Sequence, residues 1–218
     1  STMTPIEMTQ WIKNGNTPTI TTDEYEWICI GGLVHDLGHG PASHTFDDMI
    51  EDLVDEGELD EKCTWLTHEE RSQAFFRKLV RDYKLEISQE GVDYVCQIIE
   101  PNKEYADDFR FQFINNKING IDLDKIDYIA RDNYVFGLTA PIDVDRIISN
   151  CGISIDIKEG ETLGSYWSFN ERIRNDIFNL FMVRFRLYKE IYNHPKVIKF
   201  ELAFRDMLLE QKQFILQA

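Results

Sequence analysis

Residues 34–47 read Val34-His35-Asp36-Leu37-Gly38-His39-Gly40-Pro41-Ala42-Ser43-His44-Thr45-Phe46-Asp47 and hold three of the chain's five histidines within ten positions. The pair His35-Asp36 offers an imidazole nitrogen and a carboxylate oxygen, and these ligands suit a divalent cation. A single His-Asp pair is more often a packed core feature than a metal site. The added density of imidazoles is hard to explain by packing alone, so the stretch predicts a metal-dependent site.

The segment before this stretch is apolar and predicts a buried helix. It reads Trp27-Ile28-Cys29-Ile30-Gly31-Gly32-Leu33-Val34, and it follows a helix-start signal at Thr21-Thr22-Asp23-Glu24. The His-Asp pair is therefore expected at the inner end of this helix. We expect Gly38 and Gly40 to let the backbone turn sharply just beyond it.

Composition narrows the class of protein. The chain has 218 residues, 43% of them hydrophobic, and a formal net charge of −16. This length suits one large domain, and the acidic balance disfavours long nucleic acid as a ligand, because binding phosphate backbones requires Lys and Arg. A small phosphorylated ligand stays compatible if a metal and a few basic residues offset the carboxylates.

The spacing of the cysteines and the length of the apolar runs indicate the cellular compartment. The cysteines, Cys29, Cys63, Cys96 and Cys151, are widely spaced and form neither a zinc motif nor a disulfide pattern. No apolar run approaches the roughly 20 residues that a membrane span needs, and no secretory signal is visible. We expect an intracellular protein, cytoplasmic or nuclear, with no membrane partner.

Local signals predict a mainly α fold with one small β-hairpin. Capping boxes begin at Thr4 and Thr67, and the second opens a helix whose expected apolar stripe is Ala74, Phe75, Leu79 and Tyr83. Residues 153–157 alternate in polarity, a turn is expected at Glu159-Gly160-Glu161, and residues 166–169 supply the second strand. The segment from Lys103 to Asp108 reads as a polar loop with no identifiable chemistry.

A second polar pattern follows Asn119-Gly120-Ile121-Asp122. Asp124, Tyr128 and Asp132 recur at i, i+4 and i+8 and so share one face of a helix. Such a face lines a polar cavity or belongs to a surface helix with ion-paired charges. Arg184 and Tyr192 show the same spacing, which predicts that they share a helix face and could line one pocket.

These motifs, taken together, resemble those of a known family. The runs His35-Asp36-Leu37-Gly38-His39-Gly40-Pro41, Ser43-His44, Thr67-His68-Glu69, Asn119-Gly120-Ile121-Asp122, Asp124-Lys125, Asp127-Tyr128 and Ala130-Arg131-Asp132 look like those of the HD-domain phosphohydrolases. Among these, the chain is most similar to the SAM-and-HD-domain deoxynucleoside triphosphate triphosphohydrolases, over about residues 22–205. The resemblance implies an HD-domain helical fold. The implied reaction splits a deoxynucleoside triphosphate into deoxynucleoside and inorganic triphosphate.

The resemblance also implies roles for individual residues. It assigns His35, Asp36 and Asp124 to a divalent metal, which could be Mg, Mn, Fe or Zn. It makes His44 the acid for the leaving 5′ oxygen, with His39 and His68 contacting the α-phosphate or fixing the water. Lys125 and Arg184 match triphosphate contacts, Tyr128 and Asp132 match sugar contacts, and Tyr192 matches a tyrosine beside the 2′ position that excludes ribonucleotides. It further implies a homo-oligomer.

Three departures from the family pattern stand out. The family has a metal-binding histidine well upstream of its His-Asp pair, whereas no histidine precedes His35 here. Either a segment is missing or the metal site is incomplete, and we expect a single HD-type domain, residues 1–218, that lacks terminal segments of the full protein. Ala42 stands where relatives have an aromatic residue. Glu190 stands where a basic residue is common, which weakens the case for an allosteric nucleotide site.

Two other functions remain open from the sequence. The first is a different HD phosphohydrolase, such as a nucleotidase or a cyclic-nucleotide phosphodiesterase, which would keep His35, Asp36 and Asp124 with another pocket. The second is a non-catalytic sensor that binds deoxynucleoside triphosphates without turnover.

Overall fold

A computed structural model describes residues 3–16, 18–138, 141–158 and 161–216. It is mainly helical with one two-stranded sheet, as expected of the HD-domain helical fold. The α-helices in chain order are α1 (Pro5–Lys13), α2 (Thr22–Val34), α3 (His44–Asp55), α4 (His68–Tyr83), α5 (Gln89–Ile99), α6 (Lys103–Ala106), α7 (Leu123–Val135), α8 (Val144–Ile148), α9 (Arg174–Leu187), α10 (Pro195–Glu210) and α11 (Lys212–Ile215). None of the helices within the described ranges is long and apolar enough to cross a membrane.

The predicted capping residues begin their helices as expected. The Thr4 hydroxyl accepts a hydrogen bond from the amide of Glu7, and the Glu7 carboxylate accepts one from the amide of Thr4. Thr67 forms the same reciprocal pair with Glu70 at the start of α4. Both capping boxes satisfy amides that the first helical turn leaves without partners, which fixes where each helix starts.

The predicted hairpin is present in the described residues. Strands β1 (Cys151–Lys158) and β2 (Glu161–Phe169) pair antiparallel, with Ile153 opposite Trp167. Of the predicted turn Glu159-Gly160-Glu161, the first two residues fall outside the described residues, and Glu161 is the first residue of β2.

The chain divides into two compact units, and the expectation of one HD-type domain stays a prediction. The first unit comprises Ser1–Leu33 and Ser88–Leu187. Two clusters form its core: Ile28, Tyr94, Ile98 and Phe111 in one, and Met8, Ile12, Phe109 and Trp167 in the other. The hairpin belongs to this unit and packs against it through Trp167, which contacts the second cluster and Phe113.

A buried ion network ties the first unit together. Arg110 is fully buried and donates to both carboxylate oxygens of Asp108, to Glu24 at the start of α2, and to the carbonyl oxygen of Met3. Burial opposes the charge of the guanidinium, but the hydrogen bonds and charge of Asp108 and the charge of Glu24 raise its pKa above the ordinary value. The expectation of a polar loop over residues 103–108 was wrong, because α6 forms there and Asp108 is buried as a partner for Arg110.

The second unit comprises Val34–Ile87 and Tyr188–Ala218. Its core lies on one face of α3, where Met49, Ile50 and Leu53 are buried. Trp65 and Leu66, before α4, and Leu208 and Leu209, on α10, pack against that face. Arg205 on α10 also pairs with Asp52 on α3. The helical spacing of apolar residues among acids therefore does bury one side of α3.

Two features of this unit differ from the sequence expectation. The predicted apolar stripe of α4 was wrong, since Phe75 and Tyr83 are exposed and the buried positions hold Arg71, Ser72 and Phe76. The helix that ends at Leu187 also does not continue as an α-helix, because residues 188–192 form a π-helix. A π-turn bonds each carbonyl to the fifth amide onward, so the α-helical spacing from Arg184 does not extend to Tyr192.

We predict that Arg110→Met lowers the free energy of unfolding by about 3–5 kcal/mol, because it leaves two carboxylates buried without their cation. Urea denaturation followed by circular dichroism measures this change. The matched control is Arg131→Met on α7, where an exposed ion pair with Asp127 is lost and the expected cost is below about 1 kcal/mol. Equal costs for the two variants would contradict the structural role of the buried network.

Candidate functional site

The His-Asp pair lies just beyond the end of α2. The helix stops at Val34, and residues 35–38 form a turn, so the pair follows the helix rather than forming its last residues. A carboxylate oxygen of Asp36 lies 3.3 Å from Nε2 of His35, and the other lies 3.4 Å from Nε2 of His39. Asp36 therefore bridges two of the predicted site histidines.

The other predicted histidines of this unit gather around one carboxylate. The rings of His39 and His68 stack with centroids 4.1 Å apart, and the ring of His44 meets them edge-on at 5.2 and 5.7 Å. Oδ2 of Asp47 lies 3.2 Å from Nδ1 of His68 and 3.7 Å from Nδ1 of His44. We call His39, His44, Asp47 and His68 the histidine cluster.

Arg71 holds the backbone and the carboxylate around this cluster in place. Its Nε donates to the carbonyl oxygen of Gly38 at 2.7 Å, and its Nη1 donates to the carbonyl oxygens of Trp65 and Leu66 at 2.9 and 2.7 Å. Its Nη2 pairs with Oδ1 of Asp47. Because Arg71 is buried, these bonds fix the glycine loop, the start of α4 and the Asp47 carboxylate relative to one another.

The two glycines of the loop provide space rather than a special turn. A β-carbon at Gly38 would overlap the carbonyl oxygen of His68 and the amide of Ser72, and one at Gly40 would overlap the ring of Phe46. Ser72 further links the loop to α4, since its hydroxyl accepts from the Gly38 amide at 2.8 Å and donates to the His35 carbonyl oxygen. The backbone does turn at residues 35–38, which include Gly38, but neither glycine has a positive φ, so what they contribute is the absence of a side chain.

The left-handed backbone of this loop occurs instead at two residues that have side chains. Ala42 has φ of 63° and Ser43 has φ of 52°, both in the left-handed region. For residues with a β-carbon this conformation costs about 1–2 kcal/mol each. They lie immediately before α3, whose first residue is His44. The site therefore includes a strained backbone segment next to one of its functional side chains.

The surroundings of His39 also shift the pKa of its imidazole. Burial lowers the pKa of His39, and the neighbouring His68 and His44 lower it further against the opposing charges of Asp36 and Asp47. The folded protein thus binds this proton less tightly than the unfolded chain does. Above the ordinary pKa near 6.5 the ring is neutral in both states, and the folded state has its full stability. As the pH falls below that value, the unfolded chain takes up the proton first, so the folded state loses stability. Nδ1 of His39 is buried and makes no hydrogen bond within the described residues.

An acidic cleft of about 420 Å³ opens beside the cluster in this unit. Residues that line it include His44, Asp47, Asp48, Glu51, His68 and Glu69. The carboxylates give the cleft a negative potential, which attracts cations and repels an unaccompanied phosphate.

The first unit holds most of the other predicted site residues. Asp124, Tyr128 and Asp132 are all half-buried on α7, which confirms that they share one face. The phenol oxygen of Tyr128 accepts from Nε of Arg184 at 3.2 Å, so a predicted sugar contact and a predicted triphosphate contact meet. Lys125 donates to the buried carboxylate of Asp122 at 2.6 Å, which holds the ammonium beside the start of α7.

Tyr192 lies in the second unit, in the π-helical segment. Its ring meets that of Tyr188 edge-on, with the centroids 5.1 Å apart. The expectation that it continues one α-helical face from Arg184 does not hold, because the helix changes type at residue 188.

The donor atoms of the second unit could hold a metal ion. The four members of the histidine cluster each offer one ligand atom, and these atoms all lie within 4.8 Å of one another. Imidazole nitrogen and carboxylate oxygen are suitable ligands for divalent transition metals.

Sequence reasoning missed two residues of this site. Asp47 was visible as a carboxylate three positions after His44, a spacing that places both on one helix face. Arg71 gave no comparable signal, because an arginine in the first turns of a charged helix usually faces solvent.

Comparisons with known proteins place this geometry in context. No family model matches the chain. A protein of Acanthamoeba polyphaga mimivirus named as an HD domain-containing protein, L394, is 28% identical over 184 residues, covering 84% of this chain and 36% of the viral protein. The Dictyostelium discoideum homolog of the deoxynucleoside triphosphate triphosphohydrolase SAMHD1 is 27% identical over 200 residues, which are 90% of this chain and 35% of that protein.

These relatives match the HD-domain family that the motifs indicate. Human SAMHD1, a deoxynucleoside triphosphate triphosphohydrolase by name, is 26% identical over 225 residues, covering 91% of this chain and 34% of the human protein. The chain thus spans about a third of the length of these curated relatives.

We predict that the imidazole of His39 in the metal-free protein titrates below the ordinary value near 6.5, and that His68→Gln raises its midpoint. The variant removes both the stacked ring that buries His39 and the competing positive charge. Nuclear magnetic resonance of the ring protons measures both midpoints. His194→Gln, which alters the exposed histidine that caps α10, is the control and should leave the midpoint unchanged. A midpoint that does not respond to His68→Gln would show that the stack has no electrostatic effect.

Proposed function

We propose that the protein is a metal-dependent hydrolase that converts a deoxynucleoside triphosphate into deoxynucleoside and inorganic triphosphate. The observation that carries the proposal is the convergence of His39, His44 and His68 on Asp47, in a chain whose curated relatives include deoxynucleoside triphosphate triphosphohydrolases. Three imidazoles around one carboxylate suit proton transfer and phosphate contact at neutral pH.

We assign the divalent ion of this reaction to His35, Asp36 and Asp124. One imidazole and two carboxylates fit a hard or borderline cation, and Asp36 already lies beside His35. When bound, such an ion lowers the pKa of water and offsets phosphate charge. Its identity among Mg, Mn, Fe and Zn is left to elemental analysis.

The protein's own residues would then manage the bond exchange at the α-phosphorus. Water attacks the phosphorus, and the bond from phosphorus to the 5′ oxygen of the sugar breaks. His44, which is exposed and lies near Oδ2 of Asp47, gives its proton to that oxygen, so that the deoxynucleoside leaves neutral. His39 and His68 contact the α-phosphate oxygens, and the lowered pKa of His39 suits it to donate from a neutral ring.

The remaining residues of the proposal bind the two ends of the substrate. Lys125 and Arg184 bind the triphosphate, for which the planar fork of an arginine is suited. Tyr128 and Asp132 contact the sugar and its 3′ hydroxyl, and the hydrogen bond from Arg184 to Tyr128 supports a shared subsite for sugar and phosphate. Tyr192 screens the 2′ position, so that a ribose hydroxyl is rejected.

We expect the purified protein, supplied with Mn²⁺, Mg²⁺ or Fe²⁺, to release deoxynucleoside and inorganic triphosphate in equal amounts. Ion-exchange chromatography of the products measures both. Asp124→Asn should reduce turnover by several orders of magnitude, whereas Asp127→Asn, the exposed carboxylate one turn further along α7, should not. Release of monophosphate or orthophosphate instead would point to another HD phosphohydrolase. Tight nucleotide binding without any product would point to a sensor.

A second prediction concerns the sugar. Tyr192→Ala should reduce the preference for deoxynucleotides over ribonucleotides, measured as the ratio of kcat/KM values, by about 10-fold or more, because a steric screen of this kind contributes about 1–3 kcal/mol. Tyr188→Ala removes the neighbouring ring and serves as the matched control. An unchanged ratio in Tyr192→Ala would remove this residue from the proposed sugar subsite.

A further inference from the structure

We infer that the histidine cluster is itself a binding site for a zinc-like transition-metal ion, formed by residues other than His35, Asp36 and Asp124, and that an ion bound there inhibits the protein. The binding site rests on the geometry of the second unit alone. The inhibitory consequence rests on the proposed function, because it requires His44 to act on the substrate.

The number and type of donors support a transition metal. Three imidazoles and one carboxylate make a four-ligand set of the kind that holds Zn²⁺ in a tetrahedron, whereas Mg²⁺ and Ca²⁺ prefer oxygen ligands. His39, His44, Asp47 and His68 each contribute one such atom within 4.8 Å of the others. These ligands therefore favour Zn²⁺ over Mg²⁺ and Ca²⁺, which bind preferentially to oxygen.

The distances within the cluster are close to those of an occupied site. Bonds of about 2.0–2.1 Å from zinc to nitrogen or oxygen place the ligand atoms of a tetrahedron about 3.3–3.4 Å apart. Oδ2 of Asp47 lies 3.2 Å from Nδ1 of His68 and 3.7 Å from Nδ1 of His44, so both of these separations are near that value. His44 is exposed and can rotate to complete the geometry.

The carboxylate is oriented to present one oxygen to the ion. Arg71 pairs with Oδ1 of Asp47 and leaves Oδ2 directed at the two histidines. Metal ligands are commonly held by such hydrogen bonds from a neighbouring residue, which fix the ligand before the ion arrives. Because Arg71 also bonds three backbone carbonyl oxygens, its guanidinium is fixed in place, and the Asp47 carboxylate can rotate away only by losing this ion pair.

The surroundings offer the ion an attractive entrance. The acidic cleft reaches His44, Asp47 and His68 and is also lined by Asp48, Glu51 and Glu69. Its negative potential raises the local concentration of free cations. An ion in the cluster would occupy the lone pair that His44 needs to carry its proton to the leaving oxygen, so hydrolysis would stop although the other metal site is filled.

Cobalt provides a direct test, because tetrahedral Co²⁺ with nitrogen ligands absorbs visible light much more strongly than six-coordinate Co²⁺. The protein used is the His35→Ala, Asp124→Ala double variant, which removes two of the three residues of the other set and retains the cluster. We expect one Co²⁺ per chain with an intense tetrahedral spectrum, and we expect one equivalent of Zn²⁺ to abolish it. No nucleotide is present, so this result is independent of the proposed function.

Substitutions of the proposed ligand residues then test which side chains bind the ion. In the same background, His44→Ala and His68→Ala should each weaken Co²⁺ binding by about 100-fold or more, since even indirect partners of metal ligands contribute 10- to 100-fold. Asp47→Asn, which preserves size and removes the charge, should also weaken it and guards against loss of binding by misfolding. His194→Ala, remote from the cluster in sequence, should bind as before. A six-coordinate spectrum, or a tetrahedral one that survives the loss of both His44 and His68, would overturn the site.

Inhibition is tested with the unaltered protein. With saturating Mn²⁺ and deoxynucleoside triphosphate, rising Zn²⁺ should reduce turnover in step with occupancy of the cluster, and a chelator should restore it. Cobalt binding together with an absence of any nucleotide hydrolysis would leave the metal site standing and refute the proposed function. Hydrolysis that continues with the cluster filled by Zn²⁺ would refute the inhibition.

Discussion

The geometry of the second unit depends on one buried guanidinium. Arg71 uses its donors on the carbonyl oxygens of Gly38, Trp65 and Leu66 and on the carboxylate of Asp47, and its guanidinium carbon lies 5.3 Å from the centre of the Phe46 ring. These partners come from three parts of the chain: the loop at Gly38, the first turn of α3, and the residues just before α4. A buried charge persists only when its hydrogen bonds are satisfied, so each segment is held where it can supply its acceptor. The imidazoles are brought together as a consequence.

The helices and the hairpin could be predicted because their determinants are local. A capping box involves residues three positions apart, as at Thr4 and Thr67, and strand alternation is visible within a few residues. The shared face of Asp124, Tyr128 and Asp132 follows from helix periodicity alone, and the structure confirms it. The proximity of His39 and His44 could also be expected, because they are only five positions apart in the sequence.

The parts that the sequence did not predict depend on contacts between distant residues. Asp108 pairs with Arg110 two residues away, but the other partners of that guanidinium, Glu24 and the Met3 carbonyl oxygen, are distant in the sequence. Nothing near Arg71 indicates that its charge is buried, since Gly38 and Asp47 lie outside its own helix. A charged helix was therefore given an apolar stripe that it lacks. The change from α- to π-helix at Tyr188 is a further case, because the sequence there fits either type, and the period is decided by packing rather than by propensity.

The left-handed conformations of Ala42 and Ser43 have a consequence for how the protein loses function on warming. Two residues with β-carbons are kept in an unfavourable backbone state just ahead of His44, and only the surrounding packing keeps them there. Segments of this kind open at a smaller free energy than the helices around them. On heating, the imidazoles should therefore disperse before the helical signal declines, which makes the site the first part of the second unit to melt.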